Sequence, residues 1–301
     1  MKHSPLRRSA RVRVSASVVI ALALAATFAG ASPAVAATTV PLGTLDGFNV
    51  LAATTVTSTG ATIVNDGDVG LYPGSAVVGF PPGIINNGIE HVADAQALQA
   101  QKDWTTAYGD ATGQGPPTQT GIIDLAGLTL TTGVYDGDAI SNSGTLTLKG
   151  DSSSVFIFRA ASTLTIADGS TIAFTGGATQ CNVFWTVESS ATIGTSATFA
   201  GTILARGSIS AATGATIGGR LLASTGAVTL QGNTINRGVA ECGPRPAIVP
   251  STPIVTVPGL PLTGINPLPA GIPALLILAG GVGFVTYAAR RKRSADGASS
   301  K

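Results

Sequence analysis

Ile203-Leu204-Ala205-Arg206-Gly207-Ser208-Ile209-Ser210-Ala211-Ala212-Thr213-Gly214-Ala215-Thr216-Ile217 decides the fold, because it has a close relative far upstream. That relative is Val50-Leu51-Ala52-Ala53-Thr54-Thr55-Val56-Thr57-Ser58-Thr59-Gly60-Ala61-Thr62-Ile63. Thr216-Ile217 recurs as Thr198-Phe199 and Thr234-Ile235, each eighteen positions away, and Gly201-Thr202-Ile203-Leu204-Ala205 recurs as Gly219-Arg220-Leu221-Leu222-Ala223 at the same interval. Within each unit apolar residues alternate with Thr, Ser or Ala, as in Thr163-Leu164-Thr165-Ile166 and Thr145-Leu146-Thr147-Leu148. A period of two with β-branched residues means short strands with one buried face. Runs of three to five residues end at Gly-containing turns, so eighteen residues hold three strands. The economical architecture is a mainly β fold, a β-solenoid whose rungs hydrogen-bond their neighbours through the backbone. A β-sandwich is the alternative that the same alternation allows.

One segment breaks the pattern. From Glu90 to Thr112 turn signals vanish, and Ala93, Ala97, Ala100, Trp104, Ala107 and Ala111 step by four or three. The spacing predicts a helix of about twenty residues with a small-residue stripe that lies close against the solenoid flank. Gly113 and Pro116-Pro117 end it.

Composition and charge exclude several function classes. The 301 residues include 39 Gly and 17 Pro, and only 11% are charged; two Cys and two His exclude zinc fingers and iron–sulfur proteins. The basic residues concentrate at the two ends, leaving seven basic against fourteen acidic residues between them. An acidic body without a basic patch argues against nucleic-acid binding.

Both ends read as addresses. Residues 1–36 carry a basic segment up to Arg13, an apolar stretch from Ala16 to Gly30, and Ala34-Val35-Ala36 as a small-x-small cleavage site. These are the parts of a secretory signal peptide. At the other end, Leu260-Pro261-Leu262-Thr263-Gly264 precedes an apolar segment over 265–289 and a basic tail over 290–301 that opens with Arg290-Arg291-Lys292-Arg293. This resembles the LPxTG cell-wall sorting signal of Gram-positive bacteria. The resemblance implies that a sortase cleaves between Thr263 and Gly264 and joins Thr263 to peptidoglycan. A single-pass membrane anchor is the alternative, since the apolar stretch is long enough to span a bilayer. Residues 243–259, with Pro244, Pro246, Pro250, Pro253 and Pro258, form a semi-rigid stalk. The folded body, residues 37–242, is expected to be extracellular, anchored to the wall or membrane, and monomeric.

The body also carries a family resemblance. Phe48-Asn49-Val50-Leu51-Ala52, Asn65-Asp66-Gly67-Asp68-Val69-Gly70, Gly79-Phe80-Pro81-Pro82-Gly83, Gly133-Val134-Tyr135 and Cys181-Asn182-Val183-Phe184-Trp185 resemble the ice-binding-like (DUF3494) family over nearly all of residues 40–236. The resemblance implies a right-handed β-solenoid of triangular section with a long helix alongside, its first coil packed beside the last ones. It also implies an ice crystal surface as partner, bound through one flat face.

The residues point to such a face independently. Thr59-Gly60-Ala61-Thr62, Thr195-Ser196-Ala197-Thr198 and Thr213-Gly214-Ala215-Thr216 occupy equivalent places in separate units, and Asp168-Gly169-Ser170-Thr171 and Gln231-Gly232-Asn233-Thr234 fill the same slot less faithfully. Stacked rungs repeat at roughly 4.8 Å and alternate strand residues at roughly 6.7 Å, so Thr rows form a grid. The expected ice-binding residues are Thr59, Thr62, Thr171, Thr195, Thr198, Thr213, Thr216 and Thr234. Thr is also a good solvent-facing strand residue for structural reasons alone, so a surface adhesin for polysaccharide or protein, or a structural solenoid, is the rival reading.

Other constellations carry less. Asp66-Gly67-Asp68 and Asp136-Gly137-Asp138 fit polar turns better than calcium sites, which need six to eight oxygen ligands, and no other metal or cofactor motif stands out. A solenoid hydrolase would need carboxylates converging in a groove, whereas the acids are scattered through turns, so the protein reads as a non-enzyme. Cys181 and Cys242, an even count in an oxidising compartment, are expected to pair.

Overall fold

The computed structural model describes residues 37–238 and Cys242. The expected signal peptide, stalk, sorting motif, apolar segment and basic tail lie outside the described residues. Among the described residues no helix is long and apolar enough to cross a membrane.

The chain builds coils of three short strands. The first holds β1 (Phe48–Ala52), β2 (Thr55–Thr59) and β3 (Ile63–Asn65), and the second β4 (Asp68–Leu71), β5 (Ala76–Val78) and β6 (Ile84–Asn86). Strand β7 (Glu90–Val92) then leads into helix α1 (Ala95–Gly113). After the helix come β8 (Thr129–Leu130), then β9 (Gly133–Gly137), β10 (Ile140–Asn142) and β11 (Thr145–Lys149), then β12 (Phe156–Ala160), β13 (Leu164–Ile166) and β14 (Thr171–Thr175). The series closes with β15 (Val183–Val187), β16 (Ala191–Ile193), β17 (Thr198–Ala205), β18 (Ile209–Ala211), β19 (Thr216–Ala223), β20 (Val228–Gln231) and β21 (Thr234–Asn236).

All pairings between these strands are parallel, and they sort into three faces. One face runs β9-β12-β15-β17-β19-β1-β4-β7, a second is the seven-stranded sheet β10-β13-β16-β18-β20-β2-β5, and the third runs β8-β11-β14-β17-β19-β21-β3-β6. Strands β17 and β19 serve two faces each because they bend at the paired residues Gly201 and Gly219, with φ of 110° and 151°. A Cβ on Gly219 would lie 2.0 Å from the Gly201 carbonyl oxygen, so only glycine lets the coils stack this closely at the bend.

The order of stacking differs from the order of the chain. Coil β1–β3 packs directly on the last coil, with Val50 opposite Leu221, Thr57 opposite Thr229 and Ile63 opposite Thr234. Helix α1 therefore carries the chain from one end of the stack to the other. Seven intervals at roughly 4.8 Å make about 34 Å, and nineteen helical residues at 1.5 Å supply about 28 Å of it.

Inside the coils, a column of rings crosses successive rungs: Tyr135 on Phe158 at 5.3 Å, Phe158 on Trp185 at 4.0 Å, and Trp185 against Phe199 at 5.6 Å. A second apolar layer joins the first face to the helix, where Phe48, Leu51, Ile157, Phe184, Leu204 and Leu222 meet Ala100, Trp104, Ala107 and Ala111. The alanine stripe brings the helix close enough for Trp104 Nε1 to donate to the Leu222 carbonyl at 3.0 Å and for Gln101 Nε2 to donate to the Ala52 carbonyl at 3.1 Å.

The expected helix start needs correction. Glu90–Val92 is strand β7, paired with Val69, Gly70 and Leu71 of β4, and Ala93 is an exposed residue at φ 50°. Asp94 caps the helix by accepting the Ala97 N–H at 2.8 Å, which fixes the first turn beyond it. The spacing from Ala93 to Ala97 is coincidental.

Cys181 and Cys242 form a disulfide that spans 61 residues. Beside it, Asp46 holds two buried guanidiniums, those of Arg220 and Arg237. Burial pushes the Arg220 guanidinium down to about 10, against the pull of Asp46.

Candidate functional site

Two faces are occupied. Helix α1 covers the first, and the short 3-10 turn Gln180–Asn182 lies over part of the third, where its Gln180 Oε1 would be 2.1 Å from a Cβ at Gly218. Among the described residues nothing of this kind covers the seven-stranded face, where Thr165, Thr192 and Ser210 are exposed. Its strands ISN, LTI, ATI, ISA, VTLQ, TVTST and AVV contain no charged residue.

Register turns these strands into a lattice. Ser141, Thr165, Thr192, Ser210, Thr229 and Thr57 stand opposite one another in six consecutive rungs, and Val78 continues the row. Each hydroxyl residue sits between two inward neighbours, such as Leu164 and Ile166 or Ala191 and Ile193, which alternation sends to the core. Thr165, Thr192 and Ser210 are exposed, and Thr229, Thr57 and Ser141 half-buried. Ser141 donates to the Ile123 carbonyl at 2.8 Å. Among the described residues the other five direct no side-chain hydrogen bond into the protein, which leaves their hydroxyls for water. Ser190 and Ser208, two residues before Thr192 and Ser210, do the opposite: their oxygens accept the Ser208 N–H at 3.3 Å and the Ala227 N–H at 3.1 Å, stapling coil to coil.

A second row marks the edge shared with the third face. Thr145, Thr171, Thr198, Thr216 and Thr234 are in register over five rungs, followed by Ile63 and Ile84. Of the expected residues, Thr198, Thr216 and Thr234 are exposed here and Thr171 half-buried. Thr59, Thr195 and Thr213 are exposed at the turn between the two rows. Thr213 donates to Gln231 Oε1 at 3.1 Å, and Asp168 Oδ1 accepts the Thr195 N–H at 2.6 Å. The two departures from the Thr motif, Asp168 and Gln231, are thus tied into neighbouring coils.

Thr62 does not belong to the site. Backbone register places Ile63, not Thr62, opposite Thr234. Thr62 precedes Ile63 as Ser170 precedes Thr171, Ala197 Thr198, Ala215 Thr216 and Asn233 Thr234, and all five are buried. Its hydroxyl oxygen accepts from Ser58 Oγ at 2.7 Å and from the Asn233 N–H at 3.3 Å. The Thr-Gly-Ala-Thr match between the first coil and the later ones is therefore one residue out of step, and that offset turns Thr62 inward.

The central hydroxyl row was not legible as a site from the Thr-x-x-Thr spacing, because each rung gives it one residue. Its signal is the middle position of each three-residue strand, which is Ser or Thr from β10 through β18.

Concave sites are of a different kind. A cavity of about 670 Å³ lies beside α1 and is lined by Tyr72, Gln101, Tyr108, Glu188 and Arg206 among others. Its polar groups bond one another: Tyr108 donates to Glu188 at 2.8 Å, and Arg206 pairs with Glu188 at 3.0 Å. Burial, with the Glu188 bond, pushes the Tyr108 hydroxyl up to about 12. Asp136 of the second Asp-Gly-Asp turn pairs with Arg159 at 2.6 Å. Among the described residues no group of three or more His, Cys, Asp or Glu could hold a metal ion.

Known proteins share this fold. A family model described as Ice-binding-like matches residues 50–236. The chain is 40% identical over 243 residues to an ice-binding protein of Nostoc sp. (strain HG1), across 79% of this chain and 89% of that one. It is 35% identical over 238 residues to an ice-binding protein of Colwellia sp., across 74% and 93%. A solved ice-binding protein from an Antarctic biological consortium superposes with a TM-score of 0.64 at 45% identity, covering 67% of this chain and 92% of that one. One from the Antarctic ascomycete Antarctomyces psychrotrophicus gives 0.63 at 41%, covering 66% and 98%. A solenoid that matches the family model over nearly its whole length, and solved members by both fold and sequence, belongs to the ice-binding-like family.

Proposed function

We propose that the protein binds ice through the open seven-stranded face together with the Thr row along its edge. The observation that carries this reading is the in-register, uncharged hydroxyl lattice of Thr57, Thr165, Thr192, Ser210 and Thr229, beside Thr171, Thr198, Thr216 and Thr234. Rungs at roughly 4.8 Å and alternate residues at roughly 6.7 Å hold water at repeating positions. The hydroxyl shares hydrogen bonds with that water, and the methyl keeps the layer from being randomly solvated. Each contact is weak, but the β-ladder holds all of them rigid before binding, so little ordering entropy opposes the collective contact.

In this reading the solenoid is right-handed and triangular, acts as a monomeric binding protein rather than an enzyme, and works outside the cell. Residues 1–36 export it. The motif Leu260-Pro261-Leu262-Thr263-Gly264 hands it to sortase and peptidoglycan, or the apolar segment holds it in the membrane.

Thermal hysteresis and ice-recrystallisation inhibition by the full chain, with and without Thr192→Tyr, test the reading. Activity in the parent and its loss in the folded variant are expected. A well-folded parent without effect on ice would refute the proposal and favour the adhesin.

A further inference from the structure

Among the described residues, four large hydrophobics are exposed: Val78 at 55%, Ile84 at 52%, Ile89 at 54% and Ile123 at 78%. Two of them sit at particular places. Val78 pairs with Thr57 and so ends the central hydroxyl row. Ile84 pairs with Ile63, which pairs with Thr234, and so ends the edge row. Closing the core at this end of the stack does not require either residue, because Val77, Phe80 and Ile85 of the same coil pack against it. The stretch from Tyr72 to Ile89 also contains no charged residue, although an exposed terminal coil is where charges ordinarily guard a sheet edge.

We infer that Val78 and Ile84 extend the ice-contacting surface onto the terminal coil as an aliphatic end of the Thr lattice. Val is the isostere of Thr with a methyl in place of the hydroxyl, and both are β-branched and stiff at χ1. Val78 therefore keeps the methyl lattice in step while giving up one water contact. Ile63 and Ile84 do the same along the edge row. The uncharged coil leaves no strongly hydrated group to hold liquid-like water between this end and the crystal. The inference rests on the proposed ice-binding face, and it assigns to that face two residues that a search for Thr alone passes over.

The test uses the full-length protein with Val78→Lys/Ile84→Lys, Val78→Thr/Ile84→Thr and Thr192→Tyr, each checked for an unchanged melting temperature. Adsorption of labelled protein to single ice crystals and thermal hysteresis are the readouts, with sedimentation velocity alongside. The lysine pair should raise the concentration needed to arrest crystal growth roughly tenfold, as expected for forcing charged groups against a surface that cannot solvate them freely. The threonine pair, which restores a hydroxyl for water at each position while keeping the β-branched methyl, should lower that concentration relative to the parent. Full activity in the lysine pair, with loss in Thr192→Tyr, would overturn the extension and leave the main face standing. Lysine variants that abolish self-association while ice adsorption persists would also overturn it, in favour of contact with a second copy. Absence of ice activity in the parent, or its retention in Thr192→Tyr, would refute the underlying face and the extension with it.

Discussion

Thr62 and Thr192 make opposite predictions from the same residue type. Thr62→Val keeps the shape but removes the oxygen that accepts from Ser58 Oγ and the Asn233 N–H, both on buried residues. Stranding buried donors costs about 2 kcal/mol. For a domain of this size that lowers the melting temperature by about 4–8 °C. Ice activity measured well below the melting transition should be unchanged, because Thr62 points into the coil. Thr192→Tyr should shift stability by no more than about 0.5 kcal/mol, the usual range for an exposed position. A phenol ring is nevertheless wider than the roughly 4.8 Å between rungs, so it lifts Thr165 and Ser210, its partners on either side, away from a flat crystal. Differential scanning calorimetry and thermal hysteresis on the two variants separate the effects. A folded Thr62→Val that loses as much hysteresis as Thr192→Tyr would refute the register argument.

Other parts of the fold give further tests. Closing a 61-residue loop contributes about 4 kcal/mol in the chain-entropy model, so Cys181→Ser/Cys242→Ser should melt about 8–16 °C lower by calorimetry while retaining ice activity near 0 °C. The Asp68 carboxylate beside His91, aided by Asp94 on the other ring nitrogen, holds the imidazole above its ordinary 6.5 against the opposing effect of burial. That stabilisation is complete below 6.5 and is lost as pH rises through the folded value. Burial works against the Asp94 carboxylate, but bonds from the Ala97 N–H and His91 outweigh it and hold Asp94 below 3.8, so its own contribution is lost only as pH falls through the folded value. Urea denaturation should therefore find the protein weaker at about pH 8.5 than at about pH 5.5, and His91→Gln should flatten that difference. Gly219→Ala, whose Cβ would lie 2.0 Å from the Gly201 carbonyl oxygen, should cost about 1–3 kcal/mol or more and lower the urea midpoint without changing its slope.

Much of this was legible in the sequence because the features are local or periodic. The eighteen-residue interval between Thr198, Thr216 and Thr234 is the register of the third face. The likeness of residues 50–63 to 203–217 reflects coils that lie close together in the same stack, with Val50 beside Leu221. The stripe of Ala97, Ala100, Trp104, Ala107 and Ala111 is the buried side of α1, to which Tyr108 is added by stacking on Trp104 at 4.7 Å. What could not be read were phases. Glu90–Val92 has the composition of a helix start but finds a β partner in β4. Thr62 has the identity of a face residue, yet the corner before Ile63 turns it inward. A motif matches residue types, whereas side-chain direction follows backbone count, and one residue of slip reverses it. The central row gives each rung a single residue, from Ser141 through Thr165, Thr192 and Ser210 to Thr229, and only its last step, Thr229 with Thr57, joins strands far apart in sequence, so no short motif marks it.

The stacking order has a consequence for how the molecule is made. Residues 48–92 build one end of the stack, α1 crosses it, and the coils that follow grow back from the opposite end until β19–β21 close on β1–β3. The layer that joins the two halves is therefore translated last. Until it emerges from the ribosome, coil β1–β3 presents unpaired strand edges to solvent, and pairing across about 170 residues must wait for completion. Folding cannot simply propagate from a finished N-terminal unit. A chain interrupted before residue 216 would carry two incomplete blocks tethered by a helix, each with an open edge ready to pair with the wrong molecule.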